Sequence, residues 1–93
     1  MFKIKVQMYG LPPEITTLRE VELELREGAG MAEVVASMRN KIPNLAGQII
    51  RPEEDRLQEN FKFNINGHFY FDGMDFHLNP GDRIALLIPA TGG

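Results

Sequence analysis

Hydrophobic and polar residues alternate along the first part of the chain. Phe2, Ile4, Val6 and Met8 are separated by polar side chains, which is the period-two pattern of a strand with one buried face. The pattern returns in residues 21–26, after a segment, 9–18, that contains one glycine and two prolines. Glycine and proline interrupt regular structure, so we predict two strands joined by a long hairpin loop.

The second strand carries glutamates on its outward positions. Glu20, Glu22 and Glu24 alternate with apolar side chains. Such a row can form an acidic docking surface, but charges on an edge strand also prevent pairing between the sheets of two molecules. We favour the second interpretation.

A helical pattern follows. Apolar residues recur at spacings of three and four between Met31 and Ile42, which is typical of a helix with one buried stripe. Gly30 can act as the N-cap, and Pro43 disfavours helical geometry at the residue before it. We therefore predict a helix over residues 31–41, and we interpret its two methionines as core-filling residues rather than a binding groove.

The last third of the chain predicts three more strands. Residues 44–60 are irregular, and we expect a loop with at most one short helical turn. Residues 61–65 and 68–71 flank Asn66-Gly67, a strong signal for a tight hairpin. A turn over residues 79–82 precedes a mostly apolar segment, 83–88, which we expect to be a central strand.

This order of elements predicts an α+β fold of the β-grasp, or ubiquitin-like, class. One helix would cross a mixed sheet of four to five strands, with the first and last strands parallel neighbours at its centre. A ferredoxin-like fold requires a second helix, for which residues 44–60 offer no apolar stripe. The expected organisation is a domain over 1–88 and an extended tail over 89–93.

Composition narrows the possible functions. The chain has 93 residues, 43% of them hydrophobic, and a net charge of -3, so we expect one globular domain and no nucleic-acid partner. It has no cysteine, no apolar leader and no run long enough to cross a membrane. We therefore expect a cytoplasmic protein without a membrane partner, disulfides or thiolate metal sites.

Few residues could support catalysis or metal binding. Ser37, the one serine, falls within the helical pattern without a nearby base, so nucleophilic catalysis by a serine is not expected. Four residues of types that bind metals lie close together in the sequence: His68, Asp72, Asp75 and His77. Their spacing fits no known ligand motif. We predict no metal site and no self-contained active site.

The chain ends in Pro89, Ala90, Thr91, Gly92 and Gly93. A terminal diglycine can be a frayed end, but here it directly follows a strand predicted to be central. Glycines allow a backbone to enter a channel that excludes any β-carbon. Five extended residues reach roughly 17 Å, so the Gly93 carboxylate could lie deep inside a partner.

These last residues carry a resemblance to a known family. Residues 78–93, LNPGDRIALLIPATGG, together with Asn66-Gly67 and the helix exit at Arg39, Pro43 and Leu45, resemble the MoaD/ThiS sulfur carriers. The resemblance extends over the whole chain, and its specific part is the final sixteen residues. The long loops make the molybdopterin synthase small subunit the closer likeness.

The resemblance implies a function in molybdenum cofactor biosynthesis. A ubiquitin-activating-like adenylyltransferase would use ATP to adenylate Gly93, and a sulfur donor system would convert it to a thiocarboxylate. The tail, Pro89 to Gly92, would then enter the large subunit of molybdopterin synthase, with Phe69 and Leu87 at the partner interface. The chain itself would bind no cofactor and would act as the small, sulfur-donating subunit.

Three alternatives remain open at this point. The chain could be a ubiquitin-like modifier whose activated glycine is attacked by a lysine amine. It could also be a sulfur carrier of the thiamine-pathway type, or a β-grasp binding module with an incidental tail.

Overall fold

The structure, a computed structural model, describes residues 1–59, 61–71 and 73–87. Its elements in chain order are β1 (Phe2–Tyr9), β2 (Glu20–Leu25), α1 (Met31–Lys41), a 3₁₀ helix (Pro43–Leu45), β3 (Lys62–Ile65), β4 (His68–Phe71) and β5 (Ile84–Leu87). The strands form one mixed sheet in the order β2-β1-β5-β3-β4, and the described residues contain no second α-helix. The predicted β-grasp fold is therefore confirmed. No helix in the described ranges is long and apolar enough to cross a membrane.

The first and last strands lie side by side at the centre of the sheet, as predicted. β5 is parallel to β1, with Val6 opposite Ile84 and Tyr9 opposite Leu87. On its other side β5 is antiparallel to β3. The last strand is therefore held by hydrogen bonds along both edges. β2 is an edge strand, which fits the interpretation of its glutamates as protection against edge pairing.

The core lies between α1 and one face of the sheet. α1 buries Met31, Val34, Val35 and Met38, the stripe that its periodicity predicts. The sheet contributes its alternate positions, including Ile84 and Leu86 of β5. Alternation along the predicted strand 83–88 would place Ile88 on the same face, but Ile88 lies outside the described residues. Within the described ranges every buried side chain is apolar.

Four of the five strands begin or end one residue away from the predicted bounds. β2 is Glu20–Leu25 rather than 21–26, and β3 begins at Lys62 rather than at residue 61. β1 continues to Tyr9, because this residue pairs with Leu87. β5 begins at Ile84 rather than Arg83, because the backbone of Arg83 is bonded to a turn residue. The backbone amide of Arg83 donates to Asn66 Oδ1 at 2.9 Å, and the backbone carbonyl of Arg83 accepts from the backbone amide of Asn66 at 2.9 Å.

Both predicted turns form, and each contains asparagine or glycine in the left-handed backbone conformation. Asn66 and Gly67 have φ values of 53° and 90°, as a two-residue hairpin turn of type I′ requires. In the second turn Gly81 has a φ of 93°, and the Asp82 amide donates to the Asn79 carbonyl at 3.1 Å. The Asp82 carboxylate also accepts from Asn66 Nδ2 at 3.0 Å, so the two turns are joined.

The long connection after α1 is irregular, as predicted, with the 3₁₀ helix as its one short helical turn in the described residues. Four apolar side chains anchor it in the core: Leu45, Ile49, Ile50 and Leu57. Arg39 of α1 pairs with the Asp55 carboxylate and donates to the Glu54 carbonyl at 3.2 Å. The connection is thus attached to the domain by both apolar and charged contacts.

The N-terminus of α1 is capped by a residue far away in the sequence. Gly30, the N-cap, has no side chain to accept a hydrogen bond. Asp75 Oδ1 accepts instead from the amide of Met31 at 3.0 Å and from that of Phe76 at 2.8 Å. These bonds lower the pKa of Asp75 below its ordinary value of 3.8, the Met31 amide contributing most, because they stabilise the charged carboxylate.

Gly30 provides the space for this carboxylate. A β-carbon at position 30 would lie 2.8 Å from Asp75 Oδ1 and 3.2 Å from the Phe76 carbonyl oxygen. The first distance is shorter than van der Waals contact allows, so an alanine here would displace Asp75. Close packing therefore requires the glycine at this position. Its backbone conformation does not, because other residues readily adopt its φ of -99°.

We predict that Asp75→Asn reduces stability at neutral pH and makes the loss of stability in acid shallower. A carboxyl group whose folded pKa is depressed stabilises the fold fully above its unfolded pKa, and this contribution is lost as pH falls through the lower folded pKa. Thermal melts at neutral pH and at steps below the ordinary value of 3.8 measure the effect. The melting temperatures of the two proteins should converge in acid.

Glu53→Gln is the matched control, because Glu53 is an exposed carboxylate in the long connection. It should leave both the neutral melting temperature and its pH dependence unchanged. Parallel curves for wild type and Asp75→Asn would contradict the capping role of Asp75.

Candidate functional site

The predicted reactive group lies just beyond the part of the chain that the structure describes. Gly93 and the tail residues Pro89, Ala90, Thr91 and Gly92 fall in the segment 88–93, outside the described residues. The structure does describe the strand that leads to them. β5 is the middle strand of the five, and its last residue, Leu87, after which the tail begins in the sequence, is called the tail exit below.

Leu87 lies on the sheet face opposite α1. Along each strand the buried side chains face α1, and the alternate positions form the other surface, here called the open face. Phe69 and Leu87, the two predicted interface residues, both lie on it. Phe69 is 51% exposed and Leu87 is half-buried. They are not direct neighbours, because β3 separates their strands.

Three further residues of the open face were not predicted. Leu87 lies opposite Tyr9 on one side and Lys62 on the other, and Lys62 lies opposite Phe71. These four residues therefore form one row across four strands. Tyr9 is 57% and Phe71 47% exposed. The alternation of β4 could have indicated Phe71, since it is two residues from Phe69.

Lys62 lies beside two aromatic residues of the open face, Phe69 and Phe71, which together are called the aromatic surface. Its ammonium nitrogen lies 5.4 Å from the centroid of the Phe69 ring and 5.5 Å from that of Phe71. Both distances are within the range of a cation–π interaction. The side chain of Lys62 is half-buried. Among the described residues, no carboxylate forms an ion pair with it.

The other lysines of the open face lie beside glutamates and away from Leu87. Lys3 and Lys5 of β1 are directly opposite glutamates of the edge strand β2, and the Lys5 ammonium is 3.8 Å from Glu20 Oε1. A shallow depression of about 630 Å³ beside them is lined by side chains of both charges. Because β1 is parallel to β5, these lysines lie toward the start of β5 and not toward its end. Lys62 is therefore the charged residue directly beside Leu87 on the described part of this face.

Three of the four residues considered for metal binding are among the described residues, and these three do not form a cluster. The Asp75 carboxylate is bonded to the N-terminus of α1, and His77 Nδ1 lies 3.1 Å from the Gly28 carbonyl oxygen. His68 is exposed on β4, and Asp72 lies outside the described residues. Within the described ranges no three His, Asp or Glu side chains lie close enough to hold a metal ion.

Comparison with known proteins identifies the family. The sequence profile described as the ThiS family matches residues 6–93. No protein among the curated sequences matches the chain.

Solved structures of Haloferax volcanii proteins share the fold. The crystal structure of SAMP1 has a TM-score of 0.79 at 18% identity, over 99% of this chain and 100% of the other. A second crystal structure, of small archaeal modifier protein 1, has a TM-score of 0.75 at 17% identity, over 94% and 97%. The solution structure of the HVO 2177 protein has a TM-score of 0.72 at 20% identity, over 98% and 86%.

These findings confirm the expected family and fold. Identities this low establish the fold alone, so the function of the Haloferax proteins does not transfer with it. The family profile covers nearly all of the chain, including the diglycine. The family match supports a sulfur carrier.

We predict that Phe69→Asp or Leu87→Asp preserves the fold but weakens binding to the partner implied by the resemblance, the large subunit of molybdopterin synthase. Loss of an apolar anchor at the centre of an interface should cost more than about 2 kcal/mol of binding free energy. Isothermal titration calorimetry measures the affinity, and thermal melts report the fold.

Ala32→Asp is the control for the added charge, because Ala32 is exposed on α1, on the opposite side of the sheet. It should leave the affinity unchanged. If either open-face variant melts and binds like wild type, the assignment of that residue to the interface is wrong.

Proposed function

Because the chain belongs to the ThiS family, whose profile extends through the terminal diglycine, we propose that it is a sulfur carrier that acts through Gly93. The family match carries this proposal. We further propose that the sulfur is delivered in molybdenum cofactor biosynthesis, with this chain as the small subunit of molybdopterin synthase.

The chemistry requires an activating partner. A carboxylate is a poor electrophile, so an adenylyltransferase would let the Gly93 carboxylate attack the α-phosphorus of ATP, forming the acyl adenylate and releasing pyrophosphate. A sulfur nucleophile from the donor system would then displace AMP and leave a thiocarboxylate. ATP would be bound by the partner, in the cytoplasm. The absence of cysteine suits this role, because no thiol of the chain competes for the sulfur.

The geometry of β5 supports delivery into a partner. The strand is hydrogen-bonded to β1 and to β3, which provides a rigid base close to the tail. Six residues follow Leu87, and when extended they would reach about 20 Å. With the open face docked on the large subunit, this length would allow Gly93 to enter a site well inside that protein.

A ubiquitin-like modifier is the second candidate, and the likeness to the small archaeal modifier protein favours it. In that case a lysine amine would attack the same acyl adenylate, forming an amide and releasing AMP. Both functions need Gly93 to be activated. They differ in the product, which is a thiocarboxylate for a carrier and a protein conjugate for a modifier.

We predict that one added C-terminal residue abolishes activation without changing stability. The extension replaces the Gly93 carboxylate with an amide, which cannot form an acyl adenylate. A change in an exposed tail should alter the free energy of unfolding by no more than about 0.5 kcal/mol. ATP–pyrophosphate exchange with the adenylyltransferase of the same organism, alongside thermal melts, compares wild type with the extended protein.

Two further variants sharpen this comparison. Deletion of Gly93 should also be inactive, and Gly92→Ala should be intermediate, because it keeps the carboxylate but introduces a β-carbon. Near-normal exchange by the extended protein would refute both the carrier and the modifier, and would favour a plain binding module.

The product distinguishes the two candidates. Intact mass spectrometry of the protein purified from its own cells should show the mass change of one oxygen replaced by sulfur. A ladder of conjugates in lysate, detected through an N-terminal tag, without that mass change would instead favour the modifier.

A further inference from the structure

We propose that Lys62 makes the open face selective for an activating partner that presents a carboxylate within an apolar surface. This inference deepens the proposed function and rests on it. The occupant is the adenylyltransferase, which must hold the chain close to the tail exit while Gly93 is adenylated.

The Lys62 ammonium is held next to two aromatic rings of the open face. It lies 5.4 Å and 5.5 Å from the ring centroids of Phe69 and Phe71, so the two rings hold a normally mobile side chain over the aromatic surface. Lys62 is also directly opposite Leu87 in the β3–β5 pairing. Any protein that covers these apolar side chains must therefore accommodate the positive charge.

Covering the Lys62 charge with an apolar surface costs free energy. A half-buried ammonium loses more of its hydration when an apolar surface is placed on it, and this cost is high unless an opposite charge is provided. The attraction to a carboxylate strengthens as water is removed. Lys62 therefore favours an acidic partner and disfavours a purely apolar one, which is how specificity arises from charge.

Lys62 is the charge that a partner meets beside Leu87. The residues directly opposite it on the two neighbouring strands, Leu87 and Phe71, are uncharged. Lys3 and Lys5 lie toward the other end of β5 and directly opposite glutamates of β2. Charge complementarity beside Leu87 therefore points to a partner carboxylate that meets Lys62.

A different role for Lys62 makes the opposite prediction. If the ammonium served only to shield the rings of Phe69 and Phe71 from water in the free protein, its removal would expose an apolar surface and strengthen docking. Selection for a carboxylate requires that its removal weakens docking. Lys62→Met separates the two roles, because methionine has an apolar chain of similar length without the charge.

The experiment measures ATP–pyrophosphate exchange as a function of the concentration of the carrier. Lys62→Met should raise the half-saturating concentration by about threefold to tenfold, and Lys62→Glu by more than about tenfold, as expected for a lost and a reversed charge pair. The maximal rate should stay within about twofold of wild type, because the loss of a docking contact weakens binding and leaves the chemical step unchanged. Added salt should raise the half-saturating concentration less for Lys62→Met than for wild type.

Lys41 provides the matched controls. It is an exposed lysine in the last turn of α1, on the opposite side of the sheet. Lys41→Met and Lys41→Glu change the net charge by the same amounts and should stay within about twofold of wild type. Thermal melts confirm that all four variants are folded.

The outcomes distinguish the inference from the function on which it rests. Equal effects at positions 41 and 62, or tighter docking of Lys62→Met, would overturn the selective role of Lys62 and leave the proposed function intact. No exchange by the wild-type protein would overturn the proposed function, and the docking inference with it.

Discussion

The parallel pairing of β1 with β5 is the constraint on which the rest of the fold depends. Two parallel neighbours cannot be joined by a tight turn, so the chain between them must leave the sheet, cross it and return. That connection contains β2, α1, β3 and β4. Because β3 then pairs with the other side of β5, the strand that leads to the C-terminus is central. The position of the tail exit is thus a consequence of topology.

The crossing is closed by a contact between distant segments. The Gly28 amide donates to the Leu78 carbonyl at 2.7 Å, and the Leu78 amide donates to the Ala29 carbonyl at 2.9 Å. Two residues after Ala29, the amide of Met31 donates to the carboxylate of Asp75, which caps α1. The start of the helix is therefore bound to the segment that precedes β5. A local N-cap could satisfy the same amide, but it could not connect the helix to the last strand.

The sequence predicts those parts of the fold that depend on neighbouring residues. Alternation indicates β1 and β2, and periodicity indicates the bounds of α1, because each has one consistently apolar side. The cap from Asp75 spans 44 residues and has no local pattern. The start of β5 depends on a bond between Arg83 and Asn66. Tyr9 belongs to the candidate site because it pairs with Leu87, and that contact exists only in the folded sheet.

The charge of the candidate site shows why composition predicts partners poorly. A net charge of -3 argues against nucleic acid, but it does not describe the surface beside Leu87. Strand pairing places Lys62 directly opposite Leu87, whereas the glutamates of β2 lie beyond β1, next to Lys3 and Lys5. A partner at short range responds mainly to Lys62, since salt screens charges more than about 8 Å away. The sign of the surface beside Leu87 is therefore a property of the fold.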